Sequence, residues 1–158
     1  MTVSTIISWK YVCTNQIEYI NFFWDRFGIG FVLKASSNTK QSLIHVCSWY
    51  GNYNTMSLLI RNGLSLECKN TKGLTPIHLA TTQGHYICVQ SLLKDGANPN
   101  EVDLKGNSTL HLAVISNRLE CAEELFRFEN VSRYHVPTNH CSFYIDSTKL
   151  SKLKKPHS

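Results

Sequence analysis

Histidine stands at positions 45, 78 and 111, each 33 residues after the last. Imidazole is the side chain best suited to acid–base work near neutral pH, and it is a common zinc ligand. An evenly spaced row therefore invites a catalytic or metal-binding reading. The spacing argues against it. Thirty-three residues is the length of one helix–turn–helix unit, and packed helices lie about 8–10 Å apart. Zn–N bonds are about 2.0 Å long, so one ion cannot join ligands carried on three successive units. The row marks one repeated position. His135, His140 and Cys141 form a looser cluster with no fourth ligand and no fixed frame. Gly28-Ile29-Gly30 lacks the third glycine and the following helix of a phosphate-binding loop. No Ser/His/Asp arrangement stands outside the periodicity. The sequence is not expected to be an enzyme, and no metal or cofactor is expected.

The histidines sit inside a longer repeated pattern. Gly73-Leu74-Thr75-Pro76-Ile77-His78-Leu79-Ala80 is followed by Gly84-His85. Thirty-three residues on, Gly106-Asn107-Ser108-Thr109-Leu110-His111-Leu112-Ala113 is followed by Asn117-Arg118. A period of this length is the sign of a solenoid of stacked helical units. The run Thr75 to Ala80 resembles the T-P-L-H-x-A core of the ankyrin repeat, with Ile77 in place of Leu. The resemblance implies an all-α ankyrin-repeat solenoid of stacked helix–turn–helix units with degenerate terminal caps. It also implies that each aligned histidine is structural, bonded within its own repeat and to the neighbouring loop.

Five segments follow from the pattern. Residues 1–36 read as a degenerate N-terminal cap, with Ile17, Ile20, Phe23, Trp24 and Phe27 on one helical face and Gly28 and Gly30 ending the helix. Residues 37–69 are a first repeat, in which Leu43 replaces the proline favoured at the first helical position. Residues 70–102 are the clearest repeat. There Thr75 is the N-cap, the second helix runs near Tyr86 to Lys94, and Gly96 provides a left-handed cap. Its packing set is Ile87, Val89, Leu92 and Leu93. Residues 103–130 are a third repeat, with Ser108 as N-cap and Leu110, Leu112, Ala113, Leu119, Ala122, Leu125 and Phe126 as core. Glu129 occupies the position of Gly96, so the helix is expected to end at Asn130. Residues 131–158 read as a basic extension, expected to be disordered from Ser147 on, with Phe143, Tyr144 and Ile145 available as a makeshift cap.

Composition narrows the function classes. The chain has 158 residues, 42% hydrophobic and 17% charged, enough for one packed array. The net charge of +5 resides mostly in the tail, where Arg133, Lys149, Lys152, Lys154 and Lys155 face only Asp146. The repeats are close to neutral and carry no nucleic-acid-binding face. No apolar run approaches the ~18–20 residues of a membrane span, and residues 1–16 lack the pattern of a secretory signal. The six cysteines form no C-x-x-C pair, and Cys47, Cys88 and Cys121 fall on helices as small buried hydrophobes. A reducing compartment follows: the cytoplasm, with the nucleus as a second location.

The resemblance implies non-catalytic work as a protein–protein interaction module or adaptor, using a concave face and the loops between repeats. Mapped onto this sequence, the partner-facing positions are Thr39, Gln41, Trp49 and Tyr50 in the first repeat. The second offers Thr71, Lys72, Leu74, Thr82 and Gln83, and the third Leu104, Lys105, Asn107, Ile115 and Ser116. Trp49 and Tyr50 stand where the other repeats carry small, polar or aliphatic residues, and such aromatics are enriched at binding hot spots. Trp49 packing on the cap is the competing account of that residue. The partner is expected to be another protein, and the chain to be a monomer. Two other readings stay open: an ankyrin fragment of a larger protein, such as a calcium-independent phospholipase, and a short inhibitor of Rel-type transcription factors.

Overall fold

The structure is a computed structural model and describes residues 42–128 of the chain. They form six helices in three pairs. The first pair is α1 (Leu43–Tyr50) and α2 (Tyr53–Arg61), the second α3 (Pro76–Gln83) and α4 (Tyr86–Lys94), the third α5 (Thr109–Ile115) and α6 (Leu119–Arg127). Helix α1 packs on α3 and α3 on α5, while α2 packs on α4 and α4 on α6. The first helices of the pairs thus make one layer and the second helices the other. The expected repetition of helix–turn–helix units is what the described residues show.

Each first helix starts on a hydroxyl residue followed three positions later by histidine. Ser42, Thr75 and Ser108 are the N-caps of α1, α3 and α5, and each closes a reciprocal capping box with His45, His78 or His111. The cap hydroxyl serves the backbone N–H of the histidine, and the imidazole serves the cap N–H. Leu43 opens α1 where Pro76 opens α3. Proline there is helpful but dispensable, since its missing N–H would be an orphan in the first turn.

Between the two helices of a pair the chain reverses in two residues in the first and second pairs and in three in the third. Gly51 and Gly84 take left-handed φ of 73° and 87°, and Asn117 takes φ 56° at the equivalent place. Asparagine is the residue after glycine that visits this region most readily. At Gly51 a side chain is also excluded by space, because a Cβ would lie 2.6 Å from Nδ1 of His85.

The core lies between the layers. Ile44, Cys47, Met56, Leu59, Ile77, Ala80, Val89, Leu92, Ala113, Cys121 and Leu125 are fully or almost fully buried in one continuous cluster. Two expected core residues are on the outside instead: Ile87 is 49% exposed and Leu119 is 49% exposed. On α4 the buried positions are Cys88, Val89, Leu92 and Leu93. That set makes one face at i, i+1, i+4 and i+5, which turns Ile87 outward; Cys88 takes the inward place. On α6 the buried set is Cys121, Ala122 and Leu125, and Leu119 precedes it on the solvent side.

The third pair also ends differently from expectation. Helix α6 stops at Arg127, and Phe128 turns to extended backbone at φ −79° and ψ 121°. The helix therefore ends before Asn130, which lies outside the described residues. Arg127 is one period after Lys94, the last residue of α4, so the helix keeps its register and only the turn after it changes. The expected N-terminal cap, the aromatic residues 143–145 and the basic tail also lie outside the described residues.

Candidate functional site

The histidine row is a set of structural clamps. Nδ1 of His78 accepts the Thr75 N–H at 3.2 Å and lies 2.7 Å from the Thr75 hydroxyl. Nε2 lies 3.0 Å from the carbonyl oxygen of Glu101, in the loop leading to the next pair. A carbonyl can only accept, so Nε2 carries the proton and Nδ1 is the acceptor. His45 repeats the arrangement, with Nδ1 3.1 Å from the Ser42 N–H and Nε2 3.0 Å from the Leu74 carbonyl oxygen. His111 meets Ser108 in the same way, at 3.2 Å from its N–H and 2.7 Å from its hydroxyl. Burial pushes the pKa of both His45 and His78 below the ordinary histidine value, so both rings stay neutral. A neutral ring with both nitrogens engaged has no free atom for a substrate proton or a metal.

The loops after α2 and α4 are built on matched turns. Asn70 Oδ1 accepts the N–H groups of Lys72 and Leu74 at 2.9 and 3.1 Å. Asp103, one period later, accepts those of Lys105 and Asn107, both at 2.8 Å. The two tips are joined, since the Leu104 N–H donates to the Lys72 carbonyl oxygen at 3.2 Å. Lys69 adds an ion pair to Glu101 at 2.6 Å, and this pairing holds the Glu101 carboxyl below its usual range. The result is a rigid rim on which Leu104 is held out, 78% exposed.

The twelve sequence candidates among the described residues divide between two rims. Thr71, Lys72, Leu74, Leu104, Lys105 and Asn107 lie on the loop rim, at the N-terminal ends of α3 and α5. Trp49, Tyr50, Thr82, Gln83, Ile115 and Ser116 lie at the other ends of the first helices, on the turn rim. Eight residues of helix at ~1.5 Å each set these rims about 12 Å apart. Thr39 and Gln41 lie outside the described residues. Thr71, Lys72, Leu104, Lys105, Trp49, Tyr50 and Ile115 are exposed. Several candidates also hold the fold: the Leu74 carbonyl accepts from His45, Asn107 donates its side-chain amide to Asp103 Oδ2 at 3.1 Å, and the Thr82 hydroxyl donates to the His78 carbonyl at 2.8 Å.

Sequence reasoning missed how the units are tied at the turn rim. Nε2 of His85 reaches the Trp49 carbonyl oxygen at 3.0 Å. One period later, Nε of Arg118 donates to the Thr82 carbonyl oxygen at 3.1 Å. Each residue follows the left-handed turn residue and reaches back to the end of the preceding first helix. The alignment of His85 with Arg118 was the available signal. It was easy to pass over because the two side chains differ in type while both present an N–H.

A family model for ankyrin repeats, in three copies, matches residues 33–135. The chain belongs to the ankyrin-repeat family. Ankyrin repeats are generally protein–protein interaction modules. No curated protein matches the sequence. Among the described residues, no group of three or more His, Cys, Asp or Glu is placed to hold a metal. A shallow cleft of about 260 Å³ opens at the turn rim, lined by Gly84, Asn117, Arg118, Leu119, Glu120 and Cys121. The Cys121 thiol there is pushed up to about 11 by burial, so it is protonated rather than nucleophilic at neutral pH.

Proposed function

We propose that this ankyrin array is a non-catalytic protein-interaction module or adaptor. It binds a partner protein across the layer of first helices, with the two rims as its edges. The observation that carries the reading is the loop rim. Leu104 is a large apolar side chain left 78% exposed at a tip whose backbone is fixed by Asp103 and by Lys72. Ordering an apolar group in water has no folding benefit, whereas a preorganised tip lowers the entropic cost of binding. Lys72 and Lys105 flank it, so the partner surface is apolar with acidic surroundings. Trp49 and Tyr50, 42% and 50% exposed, supply aromatic area at the other edge.

The compartment belongs to the same proposal. Cys47, Cys68, Cys88 and Cys121 are free thiols. No helix among the described residues is long and apolar enough to cross a membrane. The free thiols support a cytoplasmic location, with the nucleus as a second one.

The test is affinity capture from a cell extract with the full chain and with a Leu104→Ala/Lys105→Ala variant. The proposal expects specific proteins held by the wild-type chain and lost from the variant, with equal thermal midpoints. Equal capture by both chains contradicts the loop rim as the contact.

A further inference from the structure

Of the large exposed apolar side chains among the described residues, all but Leu104 lie near the turn rim. Trp49, Tyr53, Tyr86, Ile87, Ile115 and Leu119 are 42–58% exposed, and all lie within three residues of a turn between the helices of a pair. Tyr53, Tyr86 and Leu119 are strictly periodic, each the first residue of α2, α4 or α6. The His85 and Arg118 bonds tie each unit to the preceding one along this rim, with the cleft at Arg118 and Leu119 between the second and third. The six therefore line one edge, distinct from the loop rim. Residues of this size and exposure present roughly 600 Å² of surface, most of it on apolar and aromatic side chains, within the range of the largest patch on a monomer.

Charge limits what can cover it. Residues 49–54, 82–87 and 115–120 contain Arg118 and Glu120 and otherwise no Lys, Arg, Asp or Glu. The edge is thus close to neutral. A lipid surface with anionic headgroups would find one cation to attract, too few for stable attachment. A strongly charged partner would bury unpaired charge against aromatic rings. A neutral edge of the same kind meets neither obstacle. Two copies related by a two-fold axis would set this edge against itself. They would cover roughly 1,200 Å² of surface in total, the lower bound of a standard stable interface, before Asn54, Gln83 and Asn117 add theirs.

We infer that the turn rim is a self-association surface, whose occupant is the turn rim of a second copy of this chain. This departs from the monomer expected from the sequence. It assigns the turn-rim half of the proposed function to a second copy and leaves the loop rim for a different protein. The dimer is then bivalent, with two loop rims, and binds a repeated or dimeric partner with gain from effective concentration.

Sedimentation velocity of the full chain from about 1 to 200 µM tests this, a range that brackets micromolar dissociation constants. A reversible monomer–dimer equilibrium is expected. Ile87→Glu/Leu119→Glu should raise its dissociation constant at least 10-fold, and Leu104→Glu on the other rim should leave it unchanged. Tyr53→Ser/Tyr86→Ser, which adds no charge, should act in the same direction, and circular dichroism melts report that each variant is folded. A wild-type chain that stays monomeric throughout, or a dimer that survives both turn-rim variants, overturns the inference. A monomer whose turn-rim variants lose a captured foreign protein gives the edge to that protein and also overturns it. Loss of capture by Leu104 variants bears on the loop rim alone, so the two proposals fail separately.

Discussion

Nε2 of His78 donates to the carbonyl oxygen of Glu101 at 3.0 Å, tying α3 to the loop of the next unit. With Nδ1 taking the Thr75 N–H, one buried ring joins a helix start to the following repeat. An array stays together through such interfaces between neighbours.

The first prediction is a pH dependence. His45 and His78 both have pKa values lowered by burial, whereas in the unfolded chain they return to about 6.5. Below that pH the unfolded state binds more protons than the native one, so stability falls with acidification. It is fully present above the unfolded pKa and declines as pH drops through the window below it, down to the folded values. Urea titrations at about pH 7.5 and about pH 5.5 should show a lower midpoint at the acid value. A midpoint that does not move would show that these rings accept protons without loss of their bonds.

Removing the ring should be costly at every pH. His78→Ala leaves the Glu101 carbonyl and the Thr75 N–H without their partner and opens a buried space. A loss of about 2–4 kcal/mol is expected, read from chemical denaturation. A loss under about 1 kcal/mol would mean the clamp is incidental.

Two glycines with similar backbone angles should respond unequally. Gly51→Ala places a Cβ 2.6 Å from the His85 ring at φ +73°, and that ring is held by the Trp49 carbonyl. Gly63→Ala meets nothing within 4 Å at φ +85°. The second should cost the left-handed penalty of about 1–2 kcal/mol, and the first clearly more. Paired denaturation curves decide it; equal losses would show that His85 moves aside freely.

Leu92 is fully buried in the second-helix layer. Leu92→Ala should cost about 2–5 kcal/mol, a large share of what a short array has. An unchanged thermal melt would contradict the helical register.

Much of the fold was legible because repetition is a property of sequence. The capping Ser42, Thr75 and Ser108, the histidines three places on, and the limits of α4 follow from local chemistry at a fixed period. What was not legible depends on contact between units. Ile87 and Leu119 look like core by type, yet they lie at the starts of helices, second and first residue respectively, whose buried faces begin one or two residues later. The His85 and Arg118 ties bridge 36 residues and exist only once the units stack. The candidate binding residues were legible as repeat positions, but their separation into two rims was not. The ends of a short helix are neighbours in sequence and about 12 Å apart in space.

Trp49 offers a test of the turn rim that is independent of oligomer size. It is 42% exposed while its own carbonyl is held by His85. Trp49→Ala should therefore leave most of the stability in place, with a loss under about 1.5 kcal/mol. A loss of about 3–5 kcal/mol would mark it as packing, against residues outside the described part of the chain.

The central claim is that a rigid array displays Leu104 for a partner. The most direct measurement is a binding titration of the captured partner against the wild-type chain and Leu104→Ala. The account predicts at least about 10-fold weaker binding, or about 1.4 kcal/mol, with the melting midpoint unchanged. Unaltered affinity with Leu104→Ala would contradict it.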